Sequence, residues 1–158
     1  MNTEAPLGTI LVVEDNPDDV FLLKRALKKA GITHPVDVVT DGQAAMDYLS
    51  QKISGQGSGP SALPLFVLLD LKLPKANGFE VLEWLRGQPL LSKIVTIVLT
   101  SSPEESDILM AYELGARSYL IKPPTVVDLI AIMNAVSAMS SPGWLEKVEL
   151  PGVKNPVR

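Results

Sequence analysis

The stretch Leu65-Phe66-Val67-Leu68-Leu69-Asp70-Leu71-Lys72-Leu73-Pro74 decides the fold. An unbroken apolar run ends on a carboxylate, and continuous rather than alternating apolarity is what a parallel strand covered on both faces requires. Ile10 to Val13, Val36 to Val39 and Ile94 to Leu99 have the same character, with a weaker fifth run at Ser118 to Ile121. Their β-branched content favours strand over helix, so each is expected to be a buried strand. Between them, helical spacing and good helix formers occupy roughly 18–30, 42–52, 79–87, 104–114 and 125–140.

Strands alternating with helices imply an α/β protein with a doubly wound parallel sheet, because each parallel connection needs a right-handed helical crossover. In such sheets ligands bind outside the carboxyl ends of the strands. Local punctuation agrees: Asn16-Pro17-Asp18 can cap and start the first helix, while Gly31 and Gly115 can close the first and fourth. The Gly- and Ser-rich stretch Ser54 to Pro60 reads as a loop rather than a domain linker, since the pattern resumes directly after it.

The 158 residues suit one domain, expected over 9–140, with an extension at 1–8 and a tail at 141–158. A hydrophobic fraction of 46% and a charged fraction of 20% belong to an ordinary folded protein. The net charge of −4 gives no global attraction for nucleic acid. Without cysteine, disulfides, thiolate metal sites and thiol nucleophiles are excluded. No apolar run approaches the roughly 18–20 residues of a membrane span, and residues 1–8 lack a leader pattern, so a cytoplasmic protein is expected.

The residues that follow the strands are Glu14 and Asp15 after the first, Asp70 after the third, Thr100 after the fourth and Lys122 after the fifth. Polar residues at strand ends are usually solvated loop starts, and singly each is weak evidence. Together they form a complementary set. Carboxylates crowded on one edge need shifted pKa values or a cation, and Mg²⁺ is the natural hard cation for them. A carboxylate such as Asp70 can then attack phosphorus, a lysine can stabilise the charge of the transferring group, and a hydroxyl can bond a phosphoryl oxygen.

Ile10-Leu11-Val12-Val13-Glu14-Asp15-Asn16, Leu68-Leu69-Asp70-Leu71-Lys72-Leu73-Pro74 with Asn77-Gly78 after it, Leu99-Thr100-Ser101 and Lys122-Pro123 resemble the response-regulator receiver family over about residues 8–140. That resemblance implies a flavodoxin-like (βα)5 sheet in the order 2-1-3-4-5, with Asp70 as phosphoacceptor. It further implies Mg²⁺ held by Asp15, Asp70, Glu14 through a water and the backbone carbonyl of Lys72. Thr100 and Lys122 would bind the phosphoryl group, and Thr100 with Tyr119 would form a two-state switch. The protein would be a phosphoacceptor supporting its own phosphotransfer and dephosphorylation, with a separate histidine kinase as donor. Two departures, Pro124 after Pro123 and Ser101 after Thr100, remove no reactive group but put the lifetime of the phosphoaspartate in question.

Two other readings remain open. A phosphatase of the haloacid dehalogenase type also uses an aspartate after a strand, but needs a second acid two residues on, where Lys72 stands. A receiver-like scaffold acting by partner binding alone is the other. No Walker-type loop or dinucleotide fingerprint is present, and His34, before Pro35, reads as a solvated loop histidine.

Output is expected through protein contacts. In the last helix Val126, Leu129, Ile130, Ile132, Met133 and Val136 form a broad stripe, and Val127, Ala131, Ala135 and Ala138 line much of the other side. Alanines on a wet helix face account for part of this, yet a homodimer through the fourth and fifth helices and the fifth strand is expected. The tail Trp144 to Pro151 could fold back or reach across that dimer. Its Trp-Leu-Glu motif and the long loop before the third strand resemble small receivers that serve bacterial and cyanobacterial phytochrome kinases, which implies such a kinase as partner. Lys24, Arg25, Lys28 and Lys29 on the first helix are expected to be a solvated face, with a role in steering the kinase as the alternative.

Overall fold

Five short strands pair in parallel into one sheet in this computed structural model, which describes residues 8–54, 63–138 and 149–156. The chain runs β1 (Ile10–Val13), α1 (Pro17–Lys29), β2 (Val36–Val39), α2 (Gly42–Ile53), β3 (Phe66–Leu69), α3 (Gly78–Arg86), β4 (Val95–Thr100), α4 (Glu105–Glu113), β5 (Ser118–Ile121) and α5 (Val126–Ser137). The strand order is β2-β1-β3-β4-β5, the expected doubly wound arrangement.

Alternation of side chains across the pleat builds two cores. Leu11, Val13, Val67, Leu69 and Val98 face α2, α3 and α4 through Leu49, Val81, Leu85 and Ile108. Ile10, Val12, Phe66, Leu68, Ile97 and Leu99 face α1 and α5 through Leu23, Leu27, Leu129 and Ile132. The register sets the functional edge. Val13 pairs with Leu69, and the Asp70 N–H donates to the Val13 carbonyl at 3.0 Å, so Glu14 and Asp70 leave the sheet side by side.

The helix starts follow from their caps. The Asn16 side chain accepts from the backbone N–H groups of Asp18 and Asp19 with Pro17 at the first position, and Thr125 and Asp128 form a reciprocal capping box on α5. Gly31 (φ 77°) and Gly115 (φ 107°) take the left-handed conformation after α1 and α4, as their positions suggest.

Three expectations need correction. β2 is half-exposed rather than buried, with Asp37 in solvent, because it is an edge strand, whereas the other edge, β5, is covered by the returning Pro151 to Val153. Ile130 lies outside the α5 core stripe at 41% exposure, while Ala135 is fully buried. The pitch of the helix puts Leu129, Ile132, Ala135 and Val136 against the sheet and turns Ile130 away. Thr100 is the last residue of β4 rather than the first after it.

The loop expected at Ser54 to Pro60 and the tail residues Trp144 to Val148 lie, apart from Ser54, outside the described residues. The later tail folds back on the domain. The Val153 N–H donates to the Tyr119 carbonyl at 2.8 Å on the edge strand β5, the Tyr112 hydroxyl donates to the Val153 carbonyl, and the Ser118 hydroxyl donates to the Pro151 carbonyl. Among the described residues no helix is long and apolar enough to cross a membrane.

Candidate functional site

Asp70 is buried where β3 leaves the sheet. Its Oδ1 accepts the Leu71 N–H at 2.7 Å, and its Oδ2 accepts from Lys122 Nζ at 2.9 Å. Gly78 opens α3 against this turn: its N–H donates to the Leu71 carbonyl at 2.9 Å, and a Cβ there would lie 2.3 Å from the Asp70 carbonyl oxygen. Only a residue without a side chain lets α3 start so close to Asp70.

β1 delivers two further acids. Glu14 is buried, with Oε2 accepting the Asn16 N–H at 3.1 Å, and Asp15 is exposed. Ligand oxygens of Glu14, Asp15 and Asp70 all lie within 4.8 Å of one another. Three carboxylates so close form a hard-oxygen donor set of the kind Mg²⁺ takes. The Lys72 side chain, two residues beyond Asp70, is exposed.

β5 supplies the counter-charge. Lys122 follows it, anchored by its N–H to the Thr100 carbonyl at 2.8 Å and followed by a cis peptide bond to Pro123. Its ammonium reaches Glu14 Oε1 at 2.5 Å and Asp19 Oδ2 at 2.8 Å as well as Asp70. Burial alone would depress the lysine, but its bonds to Asp19, Glu14 and Asp70 outweigh it and hold the ammonium well above the usual lysine range. Burial pushes the Glu14 carboxyl up, outweighing the opposing pull of Lys122. One lysine thus faces an excess of carboxylates.

Thr100 is fully buried, and its hydroxyl has no hydrogen-bond partner among the described residues. Such a group normally finds one, and an acceptor entering here would satisfy this hydroxyl. Tyr119 is also fully buried, and its hydroxyl donates to the Ser102 carbonyl at 2.9 Å in the β4–α4 connection. Burial raises its phenol above the ordinary tyrosine value. A cavity of about 260 Å³ opens beside the charged groups, lined by Asp70, Ser101, Lys122, Leu22 and Leu68 among others.

The structure therefore brings Glu14, Asp15, Asp70 and Lys122 to one edge and sets Thr100 at the end of a neighbouring strand. It also adds Asp19, which in the sequence is only one more acid of the first helix. The contact joins residues 103 positions apart, and nothing local in the sequence announces it. His34 is half-buried rather than solvated, with Nδ1 shielded, because the Pro35 carbonyl accepts the Ile10 N–H and draws that segment onto the sheet. Lys24, Arg25, Lys28 and Lys29 are exposed as expected, but so are Phe21 and Leu22 beside them.

Comparison with known proteins gives the site a family context. The family described as response regulator receiver domain matches residues 10–134. Response regulator Rcp1 of Synechocystis sp. is 38% identical over 92% of this chain and 95% of its own length. Its Mn²⁺-bound crystal structure has a TM-score of 0.65 at 37% identity, covering 92% of this chain and 99% of that one. The phosphorylated cyanobacterial phytochrome response regulator RcpA has a TM-score of 0.66 at 35% identity, again over 92% of this chain and 99% of that one. The probable methanogenesis regulatory protein FilR2 of Methanothrix harundinacea is 43% identical over 90% of this chain and 87% of its own length.

Proposed function

The chain belongs to the response-regulator receiver family, and from that premise we propose that it accepts a phosphoryl group from a histidine kinase on Asp70 and signals through protein contacts. The observation that carries this reading is the pairing of Lys122 with a buried Asp70, while the neighbouring strand ends on a buried Thr100 whose hydroxyl has no partner among the described residues.

In the transfer, a carboxylate oxygen of Asp70 forms the new bond to phosphorus as the bond to the donor's histidine nitrogen breaks and the imidazole leaves. The Leu71 N–H fixes the orientation of the carboxylate. Lys122 is already within bonding distance of Asp70 and stabilises the negative charge of the arriving group. Asp15 and Asp70, with Glu14 through a water and the Lys72 carbonyl, would hold Mg²⁺, which supplies charge neutralisation for the phosphoryl oxygens. The Thr100 hydroxyl donates to a phosphoryl oxygen once transfer is complete.

That last contact links the site to the surface. The inward ring of Tyr119, bonded to the Ser102 carbonyl, secures the β4–α4 connection next to Thr100. Movement of Thr100 toward the phosphoryl group and the packing of Tyr119 behind it make a two-state element that phosphorylation biases. The surface it reaches is α4–β5–α5, where Met110, Ile121, Val127 and Ile130 are exposed. A homodimer through this face is the proposed output, and likeness to the phytochrome response regulator RcpA supports a kinase of the phytochrome type.

Incubation with Mg²⁺ and an acyl phosphate tests the reading. A base-labile phosphoryl adduct is expected on the native chain and none on Asp70→Asn. A native chain that takes no phosphoryl group from either an acyl phosphate or a histidine kinase would favour a receiver-like scaffold instead.

A further inference from the structure

The ammonium of Lys122 bonds three carboxylates, and two of them, Glu14 and Asp70, belong to the acidic trio suited to a divalent cation. An ammonium resting on the oxygens that a metal needs opposes the metal, since like charges compete for the same lone pairs. Asp19 is the third partner and stands outside that trio. It is also the most open of the three, with a side chain 34% exposed against 6% for Glu14 and 9% for Asp70. Its place is fixed: the backbone N–H of Asp19 donates to Asn16 Oδ1 at 3.2 Å, while the Asn16 N–H donates to Glu14. One short turn thus sets Glu14 and Asp19 around the same ammonium.

From this we propose that Asp19 is a positioning residue for Lys122, drawing the ammonium off the metal-binding carboxylates and holding it at the mouth of the site where the phosphoryl group arrives. When a cation takes Glu14 and Asp70, Asp19 is the one carboxylate of the three left to the lysine. The proposal rests on the phosphoryl-accepting reading for its second half. Its first half, on Mg²⁺ affinity, stands without phosphorylation.

A double-mutant cycle on the full chain separates action through Lys122 from the general field of one more carboxylate. Asp19→Asn keeps the backbone cap on Asn16 and removes only the charge. Mg²⁺ affinity by calorimetry is expected to fall about two- to fivefold on Asp19→Asn in the native background. In a Lys122→Met background it is expected not to change. Native affinity in Asp19→Asn, or the same loss in both backgrounds, overturns the proposal.

The ¹⁵Nζ resonance of Lys122 tests the same point without Lys122→Met, should that variant fold poorly. With Mg²⁺ added it must remain hydrogen-bonded in the native chain and be released in Asp19→Asn; release in both, or in neither, overturns the proposal. At saturating Mg²⁺ the phosphorylation rate of Asp19→Asn from an acyl phosphate is expected to drop several-fold, and a native rate removes the positioning role. If the native chain takes no phosphoryl group at all, the functional reading fails while the affinity cycle still decides the metal half.

Discussion

At the scale of single residues, the site is a cluster in which charge is out of balance, and Glu14 records the cost. Burial lifts its carboxyl above the ordinary value of 4.5, so the folded protein retains a proton that the unfolded chain has already released. The sign follows from linkage: stability falls as pH rises from the unfolded value through the folded one, and ionised Glu14 is a net cost above that window. Glu14→Gln is therefore expected to raise the melting temperature at pH 7, with the gain shrinking as the pH is lowered toward 4.5. A gain independent of pH in thermal melts would contradict the assignment. Lys122 gives the same slope at higher pH, since its raised folded value keeps its stabilisation intact below 10.5 and loses it only at more alkaline pH. Tyr119→Phe, which strips the bond to the Ser102 carbonyl from a fully buried ring, is expected to cost about 0.5–1.5 kcal/mol in urea unfolding. The residues legible in the sequence are those whose place follows from a strand end: Glu14, Asp15, Asp70 and Lys122 each follow an apolar run, and parallel strands carry such residues to one edge. Asp19 follows no strand. It reaches the site because the first turn of α1 lies beside the end of β5, a tertiary fact with no local pattern.

At the scale of elements, α3 governs the site more directly than its distance in sequence suggests. Gly78 lets the helix begin against the Asp70 turn, and a methyl group there meets the Asp70 carbonyl and the Leu71 Cα. Gly78→Ala is expected to cost about 1–3 kcal/mol by overpacking and to slow phosphorylation of Asp70 as the turn shifts. Denaturant melts and an acyl phosphate time course check both, and a destabilised variant with native kinetics would uncouple the helix start from the site. Asn77-Gly78 is readable in the sequence as part of a family pattern, but the steric reason is not, because it depends on how close two backbones pass. β2 and α5 show the same limit. Apolar content suggests a strand as buried as the others and a stripe that includes Ile130, whereas sheet order leaves β2 at the edge and helical phase turns Ile130 outward.

At the scale of the whole molecule, strand register does most of the work of assembly: Val13 opposite Leu69 aligns the carboxyl ends of β1 and β3, and Leu69 opposite Val98 lets β4 run two residues further to Thr100. The edge strand β5 carries both Tyr119 and the residue before Lys122, so the site and the α4–β5–α5 face share an element. Val127 at 75% exposure and Ile130 at 41% give that face the apolar surface a partner copy would cover. Light scattering with Mg²⁺ and a beryllofluoride phosphoryl mimic is expected to report a dimer, and Val127→Glu with Ile130→Glu is expected to return a monomer. Equal masses with and without the mimic would reject phosphorylation-driven assembly. This face is legible from the unusual apolarity of the last helix, while the return of Pro151 to Val153 onto β5 is one of two courses the sequence leaves open for the tail.

In the proposed relay, every step from kinase to output surface depends on where the phosphoryl group goes. Borohydride reduction of the chain after reaction with Mg²⁺ and an acyl phosphate converts a phosphorylated aspartate to homoserine, and peptide sequencing by mass spectrometry then locates it. Homoserine is expected at position 70 and at no other acid, with the native residues intact at Glu14, Asp15 and Asp19. A reduced product at any of those neighbouring acids, or none after full reaction, would contradict Asp70 as the phosphoacceptor.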